Sequence, residues 1–263
     1  MDGISAALGN RRFGCLFHLA AYGVVPTDRD PETMRSINAQ LPAELVRLCA
    51  DAGASMVMAG SNAEYRKPQD RMALTEQSLL ESEKSYGASK AQGSMLALEA
   101  AAETGVPLRV LRLFNVYGPG EAPHRLLPSL VRGLSEGRRI PLSEGLQVRD
   151  FVYVGDVVEA LRAAAEHIRR CPMERPMVWN VATGKGHTVR EFAEMTTRLA
   201  GMAEHLLGFG DLPMRPDEIE WLVGDPTAMT TQTGWSCRYD LAAGIAASIA
   251  TMAGARAGAR AVQ

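Results

Sequence analysis

Tyr86 and Lys90 stand four residues apart at the start of a strongly helical pattern, in the run Ser85-Tyr86-Gly87-Ala88-Ser89-Lys90. Positions i and i+4 share one face of a helix, so the spacing places the Lys90 ammonium beside the Tyr86 hydroxyl. A free phenol titrates near pH ~10 and is no base at neutral pH. A fixed cation favours phenolate and draws that value toward the working range. Upstream, Met56-Val57-Met58-Ala59-Gly60-Ser61 reads as a buried strand ending in a serine. Its hydroxyl can bind the same substrate oxygen that Tyr86 protonates or deprotonates. Ser61, Tyr86 and Lys90 together make a proton-transfer site for carbinol–carbonyl interconversion, the chemistry that accompanies hydride transfer.

The elements that must hold these residues alternate along the chain. Phe13 to Ala21 is an apolar run with the look of a parallel strand buried on both faces. Pro31 to Ala52 follows as an amphipathic helix, with Met34, Ile37, Leu41, Leu45 and Leu48 at steps of three and four; Pro42 should kink or split it. Ser55 to Gly60 is the next strand, Ser85 to Thr104 a long helix closed by Gly105, and Leu108 to Phe114 a third strand. This β-α-β-α-β order predicts a parallel sheet with helices on both faces.

Beyond Pro119 the elements shorten. His124 to Gly137 reads as helix, Ile140 to Leu142 and Asp150 to Val154 as strands, and Val154 to Arg169 as a helix returning to the main sheet. Met177 to Ala182 is a strand, and Val189 to Leu199 a helix with Thr188 as its N-cap. The division is residues 1–120 for the sheet and the chemistry, 121–252 for a mixed lobe, and 253–263 for a frayed or disordered tail rich in Ala, Gly and Arg.

A net charge of −2 gives no basic footprint for nucleic acid. The four cysteines, Cys15, Cys49, Cys171 and Cys237, have no CxxC spacing, so neither a zinc site nor a disulfide framework is expected, and the chain reads as cytoplasmic. No apolar run approaches the ~20 residues that span a bilayer. His18 is read as a structural residue of the sheet rather than a metal ligand, and no metal site is expected.

Several further segments, in a fixed order, resemble the extended short-chain dehydrogenase/reductase family of nucleotide-sugar epimerases, dehydratases and ketoreductases. They are Phe17-His18-Leu19-Ala20-Ala21, Ala59 to Tyr65, Tyr86 to Lys90, Arg112-Leu113-Phe114-Asn115-Val116-Tyr117-Gly118-Pro119-Gly120, Gln147 to Val154, Asn180 to Gly184 and Thr233-Gly234-Trp235. The resemblance implies a Rossmann-like, doubly wound parallel α/β sheet with a small C-terminal substrate lobe. It implies NAD or NADP as cofactor and a nucleotide-diphosphate sugar as substrate. Carried onto this sequence, Ser61, Tyr86 and Lys90 are catalytic. Lys90, with Ala20, Ala21 and Asn38, contacts the cofactor, and Ser61, Asn62, Asn115, Arg149 and Arg215 contact the substrate. The family's hexose dehydratases carry Asp and Glu where this chain has Asn62 and Ala63, which can neither protonate a leaving hydroxyl nor abstract a proton. Glu64 lies one position too far along a segment expected to be extended. Epimerisation at C4 or 4-keto reduction is therefore expected over dehydration.

One departure from the family stands out: no GxGxxG or GxxGxxG occurs near the start. Met1 to Leu8 instead resembles the short helix before the family's fourth strand. The sheet is expected to be truncated at its N-terminal side, by roughly 60 residues on usual βα unit lengths. Either the units are lost or the start codon lies further upstream. Dinucleotide binding is then expected to be weak, and the alternative function is that of a cofactor-deficient, non-catalytic relative that binds nucleotide sugar or is a non-functional fragment. A homodimer is expected through the helices Pro31–Ala52 and Ser85–Thr104, with Met95, Leu96 and Leu98 in contact.

Overall fold

The computed structural model describes residues 12–25 and 27–260. Strand β1 (Cys15–His18) leads through α1 (Pro31–Met34) and a π-helical turn (Arg35–Gln40) into α2 (Leu41–Ala52), then β2 (Ser55–Ser61), α3 (Ser85–Thr104) and β3 (Leu108–Leu113). Shorter elements follow: β4 (Asn115–Tyr117), α4 (Leu126–Ser135), β5 (Ile140–Leu142), β6 (Val148–Arg149) and β7 (Phe151–Tyr153). Next come α5 (Val154–Arg170), β8 (Met177–Val181), β9 (His187–Thr188), α6 (Val189–Leu199) and β10 (Leu207–Phe209). The last are β11 (Trp221–Leu222), α7 (Thr227–Thr233) and α8 (Leu241–Arg260).

The main sheet has the order β1-β2-β3-β8 with every pairing parallel. Side chains alternate between its faces. Met56, Met58, Leu108 and Val110 pack against Leu45, Val46 and Cys49 of α2 and the alanines 97, 100 and 101 of α3. Val57, Leu111, Trp179 and Val181 pack on the other face against Val157, Ala160, Ala164 and Ile168 of α5. A Rossmann-like sheet with helices on both faces results. The lobe has its own core, in which Tyr117, Leu127, Leu130, Phe151, Phe192 and Ile245 meet. Its strands form the pairs β10-β5 and β4-β7 and the trio β11-β6-β9.

Pro42 shapes the entry to α2. It has no N–H for the carbonyl of Asn38, and its ring crowds that carbonyl. The helix answers by widening: the Leu41 amide bonds to the Ser36 carbonyl, five residues back. Gly105, at φ 74°, ends α3 in the left-handed region as its position after the helix requires. Thr188 and Glu191 form a reciprocal capping box on α6.

Two expectations are corrected here. The first strand is only Cys15–His18, with Phe17 45% and Leu19 57% exposed. Among the described residues β1 pairs with β2 alone, so it is an edge strand, and Phe17 and the following Leu19 are not covered by packed helices. Second, the segment from Ala253, expected as a frayed tail, stays helical through Arg260 as the last part of α8. Alanine and arginine have high intrinsic helix propensity, which continues a helix already nucleated. Residues 261–263 and the Met1–Leu8 segment lie outside the described residues.

Candidate active site

Strands β1 and β2 end at His18 and Ser61, and Asn115 follows just after β3. The carboxyl edge of a parallel sheet is where ligands bind in such folds. The chain leaves β2 through a tight 3₁₀ turn, Asn62–Glu64. The Ser61 hydroxyl accepts the Ala63 N–H at 3.1 Å, and the Glu64 carboxylate folds back to accept the Ser61 N–H at 2.8 Å. Gly60 makes that fold-back possible, since a Cβ there would stand 2.7 Å from Glu64 Oε1.

Helix α3 comes onto this turn at close range. A Cβ on Gly87 would collide with the Ala63 carbonyl, so glycine at this position lets the first helical turn touch the Ser61 loop. The approach is fixed from the other side by Glu81. Its carboxylate accepts the N–H groups of Ser82, Glu83 and Lys84, and its own amide donates to the Glu64 carbonyl at 2.7 Å. Tyr86 is thereby set beside Ser61, near enough for the Ser61 hydroxyl to bear on the phenol's titration.

The electrostatics differ from the sequence expectation. Burial pushes the Tyr86 phenol up from its usual value; the Ser61 hydroxyl opposes this, Glu64 adds to it, and Arg125 opposes it. Lys90 is buried, and its ammonium donates to the Ala59 carbonyl at 2.9 Å rather than to Tyr86. Burial pulls the Lys90 value down, with Glu64 holding it up. Behind it His18 is held neutral, its value lowered to about 4 by burial and then by the Lys90 charge. The His18 Nε2 atom is buried without a protein partner.

The other predicted residues divide into two groups. Asn62 Nδ2 donates to Asn115 Oδ1 at 3.1 Å, which joins the ends of β2 and β3. Asn38, in the wide turn, accepts the Tyr22 N–H at 2.9 Å and donates to the Tyr22 carbonyl at 2.8 Å and to Ser89 Oγ at 3.1 Å. It pins the exposed loop that holds Ala20 and Ala21 to α3 one turn from Tyr86. Arg149 is committed elsewhere. Its guanidinium donates to the Val148 and Ile219 carbonyls at 2.7 and 2.6 Å and pairs with Glu218. Arg215 is exposed in the loop that follows β10. Lys84, beside Asp217 at 3.6 Å, ties that loop to the start of α3.

Glu64 is the residue that sequence reasoning missed. The segment was expected to be extended, which would point Glu64 away; the 3₁₀ turn brings it under Ser61 instead. The pattern Ser61-x-x-Glu64 is a capping-box signature and was the readable signal. His167, Cys171 and Glu174 also gather their ligand atoms closely enough for an ion. Arg109 occupies that cluster, with Nη2 3.3 Å from both His167 Nδ1 and Glu174 Oε2, so a cation is already in place.

The chain is similar to several known proteins. The profile of the NAD dependent epimerase/dehydratase family matches residues 3–182. A dTDP-glucose 4,6-dehydratase of Streptomyces griseus is 30% identical over 173 residues, covering 65% of this chain and 51% of that protein. A UDP-glucose 4-epimerase of Lactobacillus helveticus is 26% identical over 257 residues, 90% of this chain and 76% of its own. Among solved structures, MoeE5 in complex with UDP-glucuronic acid and NAD is 29% identical with a TM-score of 0.82, covering 96% of this chain and 82% of MoeE5. The UDP-glucose 4-epimerase of Thermotoga maritima, solved with UDP-glucose, shares the fold at a TM-score of 0.85 and 23% identity, over 97% of this chain and 82% of its own. The chain spans about half the length of the first curated relatives, 51% and 45% of the two. With a profile match over more than half its residues and a parallel sheet of the same design, the chain belongs to the NAD dependent epimerase/dehydratase family.

Proposed function

We propose that this chain interconverts a carbinol and a ketone on a nucleotide-diphosphate sugar with a nicotinamide dinucleotide, by C4 epimerisation or 4-keto reduction. The observation that carries the reading is Tyr86 beside Ser61 at the carboxyl edge of the sheet, with Lys90 buried one helical turn along the same face of α3. For reduction, Tyr86 is kept a phenol by its burial and gives its proton to the carbonyl oxygen, while the Ser61 hydroxyl donates a second hydrogen bond to that oxygen. For oxidation, Tyr86 takes the carbinol proton as phenolate and draws on the Lys90 ammonium for stabilisation. A dinucleotide, when bound, would supply or accept the hydride. The residues that would hold such a group are Lys90, His18 with its unpartnered Nε2, and the Ala20–Ala21 loop that Asn38 holds.

Epimerisation or keto reduction is favoured over dehydration because Asn62 and Ala63 offer no acid or base and Glu64 is buried in hydrogen bonds of its own. The substrate phosphates are assigned to Asn115 and Arg215, and to Arg149, which in this structure pairs with Glu218. Relatives named for NAD and for UDP-, dTDP- and CDP-sugars support this substrate class. Calorimetry and turnover assays of the purified chain, with NAD(H), NADP(H) and a panel of UDP-, dTDP-, CDP- and GDP-sugars, test the reading. Tyr86→Phe should lower turnover by at least the ~10²-fold of a lost acid–base group while nucleotide-sugar binding stays. Full turnover in that variant would sink it. Nucleotide-sugar binding without dinucleotide binding tighter than the millimolar range would favour the non-catalytic alternative.

A further inference from the structure

We propose that Glu64 is a positioning residue: with Arg112 as its counter-ion, its buried carboxylate fixes the Ser61 backbone against the face of α3 that carries Tyr86 and Lys90. The inference rests on reading Ser61 and Tyr86 as the reacting pair. Glu64 is fully buried, and both carboxylate oxygens are spent. Oε1 accepts the Ser61 N–H at 2.8 Å; Oε2 accepts the Ser94 hydroxyl at 2.8 Å and Arg112 Nε at 2.9 Å. Ser94 lies four residues after Lys90 and so on the same face of α3. One carboxylate thus joins the end of β2, the middle of α3 and strand β3.

Stability alone gives little reason for this arrangement. A buried ion pair repays its desolvation poorly, and an apolar pair of similar volume is often as stable or more so. An apolar side chain at position 64 would fill the space but could not hold the Ser61 amide in one direction. The surroundings stiffen the counter-ion as well: Arg112 lies 4.6 Å over the Tyr65 ring, and the Tyr65 hydroxyl donates to Asn180 Oδ1 at 2.6 Å. The bare glycine at position 60 completes the device, since any larger residue would push the carboxylate away from Ser61.

Two variants test the idea, Glu64→Gln and the double Glu64→Gln/Arg112→Met. The double removes both charges, so that no unpaired guanidinium is left buried. With nucleotide sugar and dinucleotide, kcat should fall about 10²-fold, the usual effect of a misplacement near 1 Å, with KM little changed. The Tyr86 phenol supplies a second readout in a tyrosine NMR titration, assigned against Tyr86→Phe. The neighbouring Ser61 hydroxyl lowers its value more than the Glu64 charge raises it. Loss of positioning therefore moves Tyr86 upward, whereas loss of charge alone would move it down. Wild-type kcat, or a Tyr86 titration that is unmoved or moves down in a folded variant, overturns the proposal. A double variant that cannot fold overturns it too, because the pair would then serve stability. If the wild-type chain turns over none of the sugars, the functional reading fails and the phenol titration alone decides the role of Glu64.

Discussion

Replacing Gly87 or Gly93 by alanine should destabilise this protein, against the usual direction for glycine in a helix. Within an ordinary exposed helix the change gains about 1 kcal/mol, because alanine costs less backbone entropy. Here both glycines face backbone: Gly87 meets the Ala63 carbonyl, and Gly93 meets the Asn38 carbonyl and the Ala39 Cα. An added Cβ would sit far inside the 3.0 Å that real Cβ atoms keep from other heavy atoms, and neither obstacle is a flexible side chain that can swing aside. Helix α3 must then retreat by roughly 1 Å, an overpacking that costs up to about 3 kcal/mol. Net of the propensity gain, a loss of about 2 kcal/mol is expected, or a fall of roughly 4–8 °C in Tm for a chain of this size. Urea denaturation of both variants reads this directly. The Gly87 change carries a second signature, because it separates Tyr86 from Ser61: in the active protein kcat should drop with the retreat. A Gly87→Ala or Gly93→Ala protein as stable as wild type would show that α3 does not press on these carbonyls.

Two further outcomes can be checked independently. His18 has a folded value of about 4, below the ordinary one, so the unfolded chain takes up its proton first as pH falls. Its contribution is whole above pH ~6.5 and is lost as pH drops through 4, roughly 3 kcal/mol in all; His18→Gln should flatten that part of the stability profile relative to wild type. Met95 on α3 is half exposed, and Leu96 and Leu98 beside it are only partly buried, which favours a second copy packing there. Sedimentation at micromolar concentration should give a dimer that Met95→Glu dissociates; a monomeric wild type would count against it.

Much of the scaffold was legible because each element carries its own punctuation. The strand before Ser61, the helix closed by Gly105 and the Thr188 cap are local signals that tertiary contacts had no reason to override. The proline at position 42 announced a break in the helix, although only packing decides that the break is a wide turn rather than a bend. The site was half legible. Spacing brought Tyr86 and Lys90 to one helix and Ser61 to a strand end, but it could not show that the Lys90 ammonium turns to the Ala59 carbonyl. Nor could it show that Arg149 is occupied by Glu218, since the two are far apart in sequence. Glu64 was lost to an assumption of extended backbone, where a single tight turn reverses the direction of a side chain.

The wide turn at Arg35–Gln40 also sets a rotational phase. Each residue of an α-helix advances the side chains by about 100°, so one residue accommodated in a wider turn rotates everything before it by that angle relative to α2. With that offset, Asn38 meets Tyr22 and Ser89 while Leu45, Val46 and Cys49 keep their places against the sheet. Helix length here encodes orientation. Deleting one residue between Arg35 and Gln40 would leave α2 packed on the sheet, with Pro42 still unable to donate to the turn before it, yet swing the Tyr22 clamp out of register. The loop carrying Ala20 and Ala21 would then lose its tether in a protein that still folds.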